Sequence, residues 1–108
     1  MITVTIYKNR DNPVSLGLKT DGAFENITSF TRVTLQVGDV TLDSRVNTTT
    51  FDWTTNGATG QLDLDIGMEN DLKIGKHIAR LTIYDATYTN GLVWGHFVLN
   101  VEDPCLIT

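Results

Sequence analysis

Acid-base or nucleophilic chemistry in this chain would have to draw on two histidines, one cysteine and a scatter of carboxylates. A Ser-His-Asp or Cys-His site needs a base that a third group holds beside a nucleophile, and the bases on offer are His77 and His96. Both fall inside stretches of alternating polarity and neither is accompanied by a nucleophile motif. They read as half-exposed sheet histidines. Cys105, in the terminal "DPCLIT", is poorly placed to hold a nucleophile in register, and as the sole cysteine it has no partner for an intramolecular disulfide. The sequence therefore predicts a protein that is not an enzyme, with no catalytic residues and no cofactor.

Asp63 and Asp65 stand two apart in a strand pattern, so their carboxylates leave the same face, with Glu69 and Asp71 close behind. A calcium ion takes such oxygens, but the EF-hand spacing and its glycine at the sixth place are missing from "DLDIGMENDLK". The two readings are a cation site and a solvated polar face, and the second is preferred, with no metal expected. Adjacent like charges there also discourage sheet stacking. No glycine-rich phosphate loop occurs, and the sequons at Asn26 and Asn47 are short patterns that arise by chance.

The 108 residues suit one domain, expected to span 1–108 with 102–108 as an extended C-terminal tail. A hydrophobic fraction of 41% and a charged fraction of 19% are those of a globular protein. Thirteen acidic against eight basic residues give a net charge of −5, which repels a phosphate backbone, and no Lys/Arg cluster interleaved with aromatics offsets it. Nucleic acid is not expected as a partner. Nor is a membrane, since no apolar run approaches the roughly 18 residues needed to span one. The sequence opens in strand pattern at Ile2 without signal-peptide features, so synthesis and folding in a cytoplasm are expected.

The elements that must position these residues are strands. Ile2, Val4 and Ile6 alternate with Thr3, Thr5 and Tyr7, and Val14, Leu16 and Leu18 follow beyond the turn Asp11-Asn12-Pro13. Val33, Leu35 and Val37 lead through Gly38-Asp39, a hairpin turn or a bulge, to Val40 and Leu42. Phe51 and Trp53 share a face; Leu62, Leu64 and Ile66 form the next strand. The period then changes, and "MENDLKI" reads as one helical turn crossing the end of the sheets. With Gly75 to Asp85 and Gly91 to Val101 the count is about seven or eight short strands, the pattern of an all-β, single antiparallel β-sandwich. An immunoglobulin-like sandwich enters its penultimate strand through a Gly-x-Tyr corner, and here the Tyr position is His77.

The last strand, "GLVWGHFVLNV", is apolar on both alternating faces. Ala79, Leu81 and Ile83 with Val93, Phe97, Leu99 and Val101 make the expected core face. The other face then carries Ile78, Arg80, Thr82 and Tyr84 beside Leu92, Trp94, His96 and Val98, with Tyr84 opposite Trp94 and Thr82 opposite His96. Exposed aromatics of this kind anchor interfaces, so Ile78, Tyr84, Leu92, Trp94, His96 and Val98 are the candidate interface residues. The alternative is a roof provided by the chain's own loop "DGAFENITSF".

The succession "SLGLKTDGAFENITSFTRVTLQVGD", "TLDS", "FDW", "GQLDLDIG" and "GKHIARLTIYDATYTNGLVWG", from Ser15 to Gly95, resembles small virion structural proteins of tailed bacteriophages. It is similar to the immunoglobulin-like N-terminal module of phage baseplate upper proteins. The resemblance implies a structural component of a virion, made in the host cytoplasm, that assembles with itself as a homo-oligomer and with other virion proteins. Baseplate modules continue into longer proteins and this sequence stops at Thr108, which leaves capsid decoration, head-tail and baseplate accessory roles open. Two rival functions stand beside it: a stand-alone carbohydrate- or cation-binding sandwich, for which "FDWTTN" offers an aromatic among polar groups, and an intracellular adaptor domain.

Overall fold

Residues two apart on a strand leave the same side, so the alternating segments can each give one apolar face to a core. The computed structural model describes residues 2–8, 10–66 and 72–102. Within them lie β1 (Thr3–Tyr7), β2 (Pro13–Gly17), β3 (Lys19–Thr20), β4 (Ala23–Phe24), β5 (Arg32–Val37), β6 (Val40–Asp43), β7 (Phe51–Asp52), β8 (Gln61–Asp65), β9 (Gly75–Tyr84) and β10 (Leu92–Glu102). One short 3-10 turn covers Gly57–Thr59. The chain is all-β, as the alternation predicts, and the strands exceed the expected number because β3, β4 and β7 are two-residue pieces.

Five strands lie in the order β1, β10, β9, β5, β6; three lie in the order β2, β8, β7; β3 pairs with β4. Inward residues of the two larger sheets, among them Leu35, Leu81, Phe97 and Leu99 from one and Leu16, Leu62 and Leu64 from the other, join a single buried cluster. Each such side chain contributes roughly 1.5–3 kcal/mol on burial. The core thus lies between the two sheets, and their outer faces are left for other uses.

Three expectations need correction. The first concerns direction: β1 runs parallel to β10, with Thr3 opposite Val98 and Tyr7 opposite Glu102, while β2 pairs antiparallel with β8. Consecutive strands β1 and β2 therefore belong to different sheets, and a parallel neighbour is reached by a long crossover rather than a hairpin. The second concerns "DGAFENITSF", whose beginning is not loop but the end of a small hairpin that turns at Asp21-Gly22 and pairs Lys19 with Phe24. The third concerns β10. Leu92 faces Ile83 and Val93 faces Thr82, but Gly95 faces Leu81, so one extra residue, Trp94, is inserted as a bulge. Beyond the bulge the alternation changes sides.

Gly38-Asp39 resolves as a two-residue hairpin loop, because Val37 pairs with Val40 across it. The helical turn expected over 68–74 falls largely outside the described residues, as do the tail at 103–108 and Cys105; Glu102 belongs to β10.

Candidate functional site

The outer face of the five-stranded sheet is built in cross-strand rows. Thr3, Val98 and Ile78 form one row, and His96, Arg80 and Gln36 the next. Val93, Thr82 and Thr34 form a third. Ile78 and Val93 are 54% and 49% exposed, and Val98 is half-buried between its neighbours. Apolar side chains therefore lie on both sides of a polar row that holds Arg80 at its middle. Arg80 Nε donates to His96 Nε2 at 3.2 Å, which makes that nitrogen an acceptor and leaves the ring proton on Nδ1.

Charge on this face is paired at its β6 side. The Arg32 guanidinium donates to both carboxylate oxygens of Asp43, and Arg45 adds its backbone N–H at 3.0 Å. The hydrogen bond from Arg32 is the main reason that the Asp43 carboxyl is held well below the usual carboxylate range. The same guanidinium lies 4.5 Å from the centroid of the Tyr84 ring, and that ring packs over the backbone of Gly91. Tyr84 is thereby covered from within its own chain.

Of the six residues expected at an interface, Ile78, Tyr84, His96 and Val98 share the outer face. Trp94 and Leu92 do not, and the pairing of Tyr84 with Trp94 and of Thr82 with His96 is replaced by Tyr84 with Arg32 and Val93 with Thr82. The bulge is the cause. Trp94 turns inward against the core and meets Phe30 edge-on, with centroids 6.0 Å apart and planes at 61°. Leu92 sits on the Ile83 side, and Val93, expected in the core, points out. Phe30, within "DGAFENITSF", thus roofs Trp94, and its carbonyl accepts a hydrogen bond from Trp53 Nε1 at 2.8 Å. Periodicity alone misses Val93; the glycine directly after Trp94 was the available signal, since glycine within a strand marks bulges.

The outer face of the smaller sheet is acidic, with Asp63 directly opposite Asp52. Asp63 accepts from Gln61 Nε2 at 2.7 Å, Ser15 Oγ at 2.8 Å and Asn56 Nδ2 at 2.9 Å, and these bonds, that of Gln61 first, lower its pKa. Asp52 accepts from the hydroxyl and backbone of Thr55 and of Thr54 and is lowered to about 2. Asp65 is exposed and accepts from the Asn12 backbone N–H at 3.3 Å. The carboxylates are thus engaged by the chain's own neutral donors, and among the described residues no three His, Cys, Asp or Glu side chains converge as a metal site. Glu69 and Asp71 lie outside the described residues.

"FDWTTN" does not present an open aromatic, because Trp53 is half-buried and bonded to Phe30. An exposed aromatic among polar groups occurs elsewhere, at Phe24, in a depression of about 350 Å³ lined by Ser15, Gly17, Thr59 and Gln61. Lys19 Nζ lies 4.5 Å from the centre of that ring. The histidines are far from forming a pair: His96 is on the outer face, and His77 donates Nε2–H to the Lys73 carbonyl at 2.8 Å on the β9 side that carries Ala79 and Leu81. Among the described residues no helix is long and apolar enough to cross a membrane. No protein-family model matches the chain, and no curated protein matches it.

Proposed function

We propose that the chain is a non-enzymatic structural component of a tailed-phage particle, a capsid decoration, head-tail or baseplate accessory protein that works by assembly with other virion proteins. Its fold in this reading is an immunoglobulin-like sandwich. The strand order supports that: β2, β8 and β7 take the places of strands B, E and D, and β6, β5, β9 and β10 those of C′, C, F and G. So does His77, which near the start of β9 bonds a backbone carbonyl four residues upstream, the role a tyrosine plays in such domains.

The observation that carries the assembly reading is the outer face around Ile78, Val98 and Val93. Exposed apolar side chains flank Arg80 there, and interface patches combine an apolar core with arginine. Mass spectrometry of purified particles should find the protein in the virion, and Ile78→Asp should remove it from the particle while leaving the melting temperature within a few degrees of wild type. A protein found only free in the lysate would end this reading.

The Phe24 depression favours a second reading, a carbohydrate-binding sandwich in which the C–H face of a sugar packs on Phe24 and its hydroxyls meet Gln61 and Ser15. Binding on a glycan array that Phe24→Ala abolishes would select it over the first.

A further inference from the structure

We infer that two copies of this chain pair through the free edge of β1, antiparallel about a two-fold axis at Val4. The inference concerns the edge of the sheet and stands whether or not its outer face binds a partner. Val98 N–H donates to the Ile2 carbonyl and Lys8 N–H to the Glu102 carbonyl, so the even-numbered residues of β1 aim their backbone groups at β10. The odd-numbered ones, Thr3, Thr5 and Tyr7, therefore aim theirs away from the sheet. At Tyr7 both groups are taken: Asn12 Oδ1 accepts from its N–H at 3.1 Å and Asn12 Nδ2 donates to its carbonyl at 2.7 Å. Among the described residues nothing pairs with the outward groups of Thr3 and Thr5, and both residues are exposed.

Those groups are self-complementary. With Val4 facing Val4 of the second copy, Thr3 exchanges both its hydrogen bonds with Thr5 of that copy, and Thr5 with its Thr3. Every outward group that Asn12 leaves open is then satisfied, and Asn12 sets where pairing stops. The side chains suit the register as well: threonines face each other across the strands on the outer face, a favourable cross-strand pair. β1 carries no charge, so two acidic molecules meet there without the lysines, inward charges or prolines that natural edges use against pairing. The other edge of this sheet is guarded at Asp43, whose N–H is bonded by Asn47 Oδ1 and whose carbonyl is bonded by the N–H groups of Val46 and Asn47.

Val4 in such a pair is a non-hydrogen-bonded position, where facing Cα atoms come within about 4.5 Å, inside the span of a disulfide. Val4→Cys in a Cys105→Ser background should oxidise to a covalent dimer, and Ile6→Cys in the same background should not. Sedimentation velocity of the wild-type chain should give a dimer that Thr5→Pro converts to monomer; proline is tolerated where an edge N–H faces outward. Should that variant fail to fold, Thr3→Glu with Thr5→Glu places like charges opposite each other at two exposed positions and should also give folded monomer. Ile78→Asp should leave this dimer intact. A wild-type monomer at about a hundred micromolar, a dimer that survives the double glutamate variant, or equal cross-linking at residues 4 and 6 would overturn the inference.

Discussion

Trp94→Ala separates a residue that holds the fold together from one that holds two molecules together. Truncating a fully buried Trp costs about 3–5 kcal/mol. Trp94 is half-buried, which brings the burial part to about 2 kcal/mol, and the lost edge-on contact with Phe30 adds roughly 1 kcal/mol. For a domain of this length each kcal/mol lowers the melting temperature by about 4 °C, so a fall of roughly 12 °C is expected. Calorimetry should record that fall, and sedimentation of the folded variant should match wild type. A melting temperature within about 2 °C of wild type, accompanied by weaker association, would refute the inward placement that the bulge produces.

Asp52, which its threonine donors lower from 3.8 to about 2, stabilises the fold in full above about pH 4, and the stabilisation is lost as the pH falls through its folded-state value. Asp52→Asn should therefore flatten the decline of melting temperature between about pH 4 and pH 2; an unchanged slope in thermal melts would count against those hydrogen bonds. Gly60 has φ 83°, and a Cβ there would lie 2.9 Å from the carbonyl oxygens of both Leu18 and Glu25, so nothing flexible can yield. Gly60→Ala should cost at least about 2 kcal/mol in urea denaturation, and a loss below about 0.5 kcal/mol would contradict that packing.

Period-two alternation located the strands because the residues it depends on are the core residues: Val33, Leu35, Val37, Leu62, Leu64, Ile66 and Leu81 are all buried. Alternation carries no information about which strand lies beside which. That β1 joins β10 and not β2 follows from the direction in which the chain leaves Tyr7, which no local pattern encodes. Nor does alternation register an inserted residue. Leu92 to Val101 reads as one uninterrupted strand, so a single bulge at Trp94 exchanged the sides of Leu92, Val93 and Trp94, while Val98 and Ile78, on the other side of it, kept theirs. Of the candidate surface, the part remote from the bulge was legible. Phe24 was hidden for a different reason: Asp21-Gly22 is a strong hairpin signal, but the strands that it joins are only two residues each, too short for a period to emerge.

The parallel pairing of β1 with β10 also fixes how the protein responds to tension. Ile2 lies next to Val98 and Tyr7 next to Glu102, so a pull applied at Ile2 and resisted at Glu102 drives the two strands past each other along their own length. Every hydrogen bond between them, from that of Val98 with Ile2 to that of Lys8 with Glu102, is then loaded at once and in shear. An antiparallel hairpin pulled at its two free ends is opened one bond at a time instead. Forced unfolding is governed by the barrier to the first rupture and not by the overall stability. The seam between the first and last strands is thus a mechanical clasp, one that resists stretching along the chain even where the folded state is only modestly favoured.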